Sequence, residues 1–340
     1  MRKTLVAALL AAVIANPAFA QENPDSDPNP NSSPFPASAS LSSVFNPAGF
    51  GSEWENTVPV IASAPWSGPR TADGQPDVSG NWSNTIANHA NFTDPQAGDP
   101  GYPSTAASLP RGQRAPSRVS DPAGGQIPYL PAARALQQDY ERNFPEPSHA
   151  WHVEPLARCA PAGVPKSFLW HGWEIRQYPG IVLFLFDSGT RIVHLDDGPH
   201  LNDSIKLWNG NSHGHWEGNT LVVNVTNNNG KALFGRTGDF MSENATVVER
   251  YIFAEDGKRF NYVATFTDPT VYSRPWTATV PARRFTEADP TDDWFNNVSV
   301  ANRPGQPLLH ERLEQVCVEH NGPSDGGLFD LPPDGPVIDR

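Results

Sequence analysis

Apolar and polar residues alternate with a period of two through much of 166–280, in short runs broken by Gly, Pro, Asn and Asp. That rhythm is the signature of strands with one buried face. It predicts strands at 167–177, 180–187, 190–196, 205–216, 219–226, 246–255, 259–267 and 275–280, with an earlier one at 78–82. The clearest turn is Gly218-Asn219, between His215-Trp216-Glu217 and Thr220-Leu221-Val222-Val223, which reads as a two-residue hairpin. On the strand before it, the same period puts His213 and His215 on one face. One stretch reads as a helix, 130–144. Pro131 suits its first turn, Leu130, Ala133, Leu136 and Tyr140 are its apolar positions, and Pro145 stops it. Eight or more strands with so little helix predict a mainly β antiparallel barrel or sandwich.

The ends of the chain read differently. Residues 1–20 follow a secretory pattern: basic Arg2 and Lys3, an apolar run over 5–15, and Ala18-Phe19-Ala20 as a small-x-small cleavage site. The run is short for a membrane span and no second one follows, so an exported, periplasmic protein without membrane insertion is expected. Residues 21–65, rich in Pro, Ser and Asn, read as a tether, and 66–330 as one barrel domain with irregular coverings. A short helical piece is expected at 308–316. The 36 prolines and the 18% of charged residues fit long irregular loops. In an oxidising compartment Cys159 and Cys317 are expected to pair, pinning the C-terminal segment to the start of the sheet region. A net charge of −13 argues against nucleic acid and against an anionic membrane surface. A small-molecule substrate or ligand is the expected partner, and the oligomeric state stays open.

Several blocks resemble a large family of exported, mostly uncharacterised bacterial proteins. They are Arg70-Thr71-Ala72-Asp73-Gly74-x-Pro76-Asp77-x-Ser79-Gly80-x-Trp82, Arg158-Cys159-x-Pro161-x-Gly163-x-Pro165 and Glu174-Ile175-x-Gln177-x-Pro179-Gly180. The most specific is Trp208-x-Gly210-x-Ser212-x-Gly214-x-Trp216-Glu217-Gly218-x-Thr220-Leu221-Val222-Val223. Val248-Glu249-Arg250-Tyr251 and Asp268-Pro269-x-x-Tyr272-x-x-Pro275-Trp276 complete the match, over roughly 69–320. The resemblance implies a lipocalin-like (calycin-type) barrel and no agreed reaction. Its members vary at His213 and His215, often carrying Arg there, and usually have Gly-Asp where this chain has Gly218-Asn219. The closing motif is kept as Cys317-Val318-Glu319-His320-Asn321. Histidine in place of arginine exchanges a permanent cation for a group that titrates near neutrality.

Candidate chemistry gathers around the same strands. His194, His200, His213 and His215 lie close in sequence beside Asp196, Asp197 and Glu217. His-x-His on a strand suits zinc or another transition metal, so His213 and His215 are a possible metal pair, although local spacing supplies no third ligand. Without metal or organic cofactor, general acid–base chemistry is the expectation, because a His or Tyr in an apolar pocket can shift toward the working pH. His194 and Asp196 share a strand face, His200 follows in a loop and Tyr272 opens the last strand. Arg191 and Arg250 are candidates to hold a substrate carboxylate or a developing oxyanion, with an Arg250–Glu249 ion pair as the alternative. Phe168, Trp170 and Trp173 around His171 read as pocket wall or core. Gly210-Asn211-Ser212-His213-Gly214 matches G-x-S-x-G, but a hairpin rather than a helix follows, so Ser212 reads as a strand residue.

Together these features favour a lyase or isomerase acting on a small apolar substrate, aromatic compounds included. His194, His200, His215 and Tyr272 are its expected catalytic groups, and Arg191, Asp196, His213, Trp170 and Arg250 its substrate contacts. The rivals are a lipocalin-like carrier of a hydrophobic ligand and a metal-dependent enzyme at His213/His215.

Overall fold

Alternation along each strand and hairpin connections between strands leave the chain one way to avoid open sheet edges, which is to close on itself. A computed structural model describes residues 64–83, 91–103, 105–158, 160–169, 172–186, 189–196 and 198–284. The strands are β1 (Gly80–Ser83), β2 (Gly98–Asp99), β3 (Tyr102–Pro103), β4 (Val119–Asp121), β5 (Trp173–Tyr178), β6 (Ile181–Phe186) and β7 (Gly189–His194). After them come β8 (Asn211–Glu217), β9 (Thr220–Thr226), β10 (Thr246–Phe253), β11 (Arg259–Thr267) and β12 (Trp276–Arg284). Among the described residues one α-helix, α1 (Pro131–Asn143), precedes β5. Strands pair in the order β1-β5-β6-β7-β8-β9-β10-β11-β12, and β1 also pairs with β12, so nine strands form a closed, lipocalin-like barrel. β4 adds to β12 from outside the ring, and β2 with β3 makes a separate small ladder.

Ring closure explains the one irregular seam. Directions can alternate all the way round only if the number of strands is even; nine strands require a parallel neighbour. That neighbour pair is β7–β8, registered at a single position, His194 opposite His213. Parallel neighbours cannot be joined by a tight turn, so residues 195–210 cross from the end of β7 to the start of β8. The crossover is tied down by Asn227, whose positive φ of 58° aims its amide into the loop. Its Nδ2 donates to the carbonyls of Leu201 (3.2 Å), Asn202 (3.0 Å) and Ile205 (3.0 Å). Glycine at 214 lets β8 approach closely, since a Cβ there would lie 2.7 Å from the Val222 carbonyl oxygen.

The bore of the barrel is filled by rings. Phe168 stacks on Tyr262 with centroids 4.6 Å apart and meets Trp173 and Phe184 edge-on, each at 5.3 Å. Trp82, Phe253 and Phe260 continue the cluster. A ligand in this part of the bore would have to displace these side chains. Phe168 and Trp173 are therefore core, while Trp170 and His171 lie outside the described residues.

Several expected boundaries shift for physical reasons. The strand expected at 167–177 begins only at Trp173, because Lys166–Phe168 forms a 3-10 turn that swings the Phe168 ring into the barrel. The strand expected at 205–216 starts at Asn211, and the crossover ends at Gly210, where φ is +64° and a Cβ would strike the Thr226 carbonyl oxygen at 2.6 Å. The last strand runs on to Arg284. Gly218 has φ +59° and Asn219 does not share the positive sign, so the Gly218-Asn219 hairpin is of the II′ kind. In α1 the buried positions are Ala133, Gln137 and Tyr140, whereas Leu136 is exposed; the Gln137 amide donates to the Thr237 carbonyl at 2.6 Å. No helix among the described residues is long and apolar enough to cross a membrane. The segments expected as leader, as tether before residue 64 and as a helix at 308–316, together with Asp197, Cys159 and Cys317, lie outside the described residues.

Candidate functional site

Strand phase decides where each polar side chain goes. On β7 Arg191 and Val193 are buried and point inward, whereas Ile192 and His194 point out. On β8 Ser212 and Gly214 point in; His213, His215 and Glu217 point out. His213 and His215 do share a face, and it is the outer face of the barrel.

Inside the barrel lies a closed polar network. The Arg191 guanidinium donates from Nη1 to Glu249 Oε1 (3.0 Å) and the Tyr251 hydroxyl (3.0 Å), and from Nη2 to Glu249 Oε2 (2.5 Å) and Ser212 Oγ (2.9 Å). Nε donates to the same Ser212 oxygen at 3.2 Å. A guanidinium has five N–H groups, and these bonds occupy all of them. The Tyr262 hydroxyl donates to Glu249 Oε1 at 2.7 Å. Burial alone would lower the Arg191 pKa, but the Glu249 carboxylate and Tyr251 outweigh it and raise it above its ordinary value. Burial, with Glu249 beside them, pushes both the Tyr251 and Tyr262 hydroxyls well above the usual range. Arg191 thus has no donor left for a substrate anion. It spans the β7–β8 seam from within, tying it to β10 and β11.

On the outer face of the same seam, imidazoles gather. His213 Nδ1 lies 2.6 Å from Asp196 Oδ1. The backbone N–H of Gly198 also donates to that oxygen, at 3.0 Å. These two bonds, the Gly198 one first, hold the Asp196 carboxyl below its ordinary value, so it is a carboxylate that can only accept. The hydrogen therefore sits on His213 Nδ1, which leaves Nε2 as a basic nitrogen when the ring is neutral. His200 is arranged likewise. Its Nδ1 is 3.0 Å from Asn211 Oδ1, and Leu201 N–H donates to the same atom at 3.0 Å, which identifies that atom as the carbonyl oxygen. The His200 ring meets His213 edge-on at 4.8 Å, and the His194 ring lies 5.6 Å from it. Glycine at 198 permits this approach, since a Cβ there would sit 2.9 Å from Asp196 Oδ1.

The other sequence candidates fall elsewhere. Asp196 partners His213 rather than His194. His215 Nε2 is 3.2 Å from Glu217 Oε1, and Arg250 Nη2 donates to Glu217 Oε2 at 2.5 Å. Arg250 therefore pairs on the surface with Glu217 and not with Glu249, because neighbours along a strand face opposite ways. Its hydrogen bond, and then His215, lower the Glu217 pKa. Tyr272 is buried before β12 and donates to the Phe240 carbonyl at 2.6 Å, with burial raising its pKa well above the usual range. Its hydroxyl is committed to holding a loop. Trp170 lies outside the described residues.

Four of the site residues that sequence reasoning missed had readable signals. Glu249 alternates in phase with Val247 and Tyr251, so a carboxylate was due on the buried face. Asn211 begins the strand that carries His213. Gly198 and Asn227 stand at loop positions where close approach or positive φ is needed.

His213 and His215, the possible metal pair, are each engaged by a different carboxylate. Among the described residues no three His, Cys, Asp or Glu side chains are grouped so as to hold an ion. Comparison of the chain with protein-family models, with curated proteins and with solved structures finds no significant match. The fold and site therefore define a class and no more: a closed β-barrel, antiparallel except at the β7–β8 seam, with a histidine–aspartate dyad on its outer wall.

Proposed function

We propose that the protein is a proton-transfer enzyme, a lyase or isomerase acting on a small apolar substrate in the exported compartment. The reaction takes place at the β7–β8 seam. The carrying observation is the Asp196–His213 dyad at 2.6 Å, whose geometry leaves His213 Nε2 to act as general base. Asp196 fixes the tautomer and steadies the imidazolium that forms. His200, oriented by Asn211, and His194 are the groups able to return the proton. Exposed Ile192, on the same face as His194, and Leu201, next to His200, supply apolar surface beside the imidazoles.

Isotope exchange reads such a proton transfer in either direction of the reaction. Small aromatic and terpenoid compounds are incubated with the protein in deuterated water, and deuterium uptake at carbon is followed by mass spectrometry. A true substrate exchanges, and His213→Gln slows the exchange by about 10²–10⁴-fold, the usual worth of a general base. Exchange that survives unchanged in His213→Gln overturns the reading. A compound that binds saturably and returns unexchanged points instead to a carrier.

A second reading, metal binding, draws on the two anchored rings: Nδ1 held by oxygen with Nε2 free is how metal-bound histidines are oriented. It centres on His200 and His213 and requires side-chain movement. Elemental analysis of tagless protein, with and without His200→Gln, tests it.

A further inference from the structure

Three cationic side chains are almost wholly buried among the described residues: Arg191, Lys166 and Arg118. The first is matched by Glu249 and the second by Glu154. Arg118 is different. It is 1% exposed, and its Nε, Nη1 and Nη2 are all buried without a hydrogen-bond partner among the described residues.

Its backbone gives it no way out. Arg118 sits just before β4, where its N–H donates to the Phe92 carbonyl at 2.8 Å and its own carbonyl accepts from Thr279 N–H at 2.7 Å. The local charge makes the position worse. Arg114 Nη1 lies 2.8 Å from Asp94 Oδ2 and Arg111 Nε lies 3.9 Å from Asp94 Oδ1, so one carboxylate already serves two guanidinia. Burial, and then the positive charge of Arg111, draw the Arg118 pKa down to about 9, which still leaves it charged at neutral pH. An unpaired buried cation is among the costliest features a fold can hold.

We infer that Arg118 anchors a carboxylate-binding site on the β4–β12 wall of the barrel. A carboxylate suits it because the planar guanidinium fork accepts two coplanar oxygens, and because one negative charge matches one unpaired cation in a dry setting. In the nine-strand ring β12 is four strands from β8 and at least four from β7, so this site is on the opposite wall from the histidines and is independent of them. The carboxylate has two possible sources, a free small acid or an Asp or Glu of this chain's own residues 285–340, which are acidic in sequence.

The experiment is thermal unfolding of the full chain in sodium formate or sodium acetate against sodium chloride at matched ionic strength. If the source is a free acid, the midpoint rises saturably, by about 5 °C or more at a hundred times the dissociation constant. If the source is the chain, the parent does not respond, but a variant with the acidic residues of 285–340 changed to Asn and Gln does. In either arm Arg118→Met abolishes the response. Arg118→Lys, which keeps the charge and loses the fork, weakens apparent affinity at least tenfold and covers the case in which Arg118→Met fails to fold. Absence of a response in both parent and neutralised variant, or a response unchanged in Arg118→Lys, overturns the inference.

Discussion

Changing Glu249 to Gln tests whether the interior network holds the barrel together. Glu249 is fully buried and receives two bonds from Arg191 and one from the Tyr262 hydroxyl. The substitution keeps shape and one acceptor oxygen, which can still serve Tyr262. At the other position it sets an amide NH2 against Arg191 Nη2, at the present 2.5 Å contact, and it leaves the guanidinium without a counter-charge. Breaking one partner of a buried pair costs about 3–5 kcal/mol. For a domain of this size that lowers the unfolding midpoint by roughly 6–20 °C. Urea unfolding followed by tryptophan fluorescence reads the effect, since Trp173 and Trp82 belong to the same core. The double variant Arg191→Met/Glu249→Gln removes the stranded cation and lets the amide bond to the Tyr251 hydroxyl, which lies 3.4 Å from the present Glu249 Oε2. It is expected to be more stable than Glu249→Gln alone by about 1–3 kcal/mol, the range of coupling for residues in one network. An E249Q protein within about 1 kcal/mol of the parent would refute this reasoning. So would costs that simply add in the double variant.

Three further outcomes are expected. Gly214→Ala puts a methyl 2.7 Å from the Val222 carbonyl oxygen and 3.1 Å from Val193 Cγ1, and overpacking of this kind costs about 1–3 kcal/mol in denaturant unfolding. Tyr272→Phe strands the Phe240 carbonyl and lowers stability by about 1–3 kcal/mol by the same assay. The Asp196 carboxyl is held below its ordinary 3.8 by Gly198 N–H and His213, so between the two values the unfolded chain binds more protons than the folded one. The stabilisation from this carboxylate is thus complete above pH 3.8 and disappears as pH falls through the lowered value. The midpoint difference between parent and Asp196→Asn should shrink over that acid window, and a difference independent of pH there would count against the dyad.

Much of the barrel was legible in the chain because strands and hairpins are local. Period-two alternation located β5 to β12 to within a few residues, apart from the first part of 167–177 and of 205–216, and Gly218-Asn219 marked its hairpin. Alternation also placed His213 and His215 on one face. It did not say which face, because the inward residues of β8 begin with Ser212 and Gly214, no more apolar than their outward neighbours. Nor did it reveal that Asp196 meets His213 across the seam, that Arg250 pairs with Glu217, or that Arg191 is spent on Glu249. These partners are 17, 33 and 58 positions apart and come together only when the strands that carry them are assembled into the sheet.

By itself, then, the sequence determined the strands, their hairpins and the grouping of side chains on each face, since these follow from backbone geometry over a few residues. Tertiary structure alone decided which face is interior, that nine strands must leave one parallel seam, and that the histidines crowd on the outside of that seam while Arg191 locks it from within. Those outcomes depend on closure of the whole ring, a condition that no local stretch of residues contains.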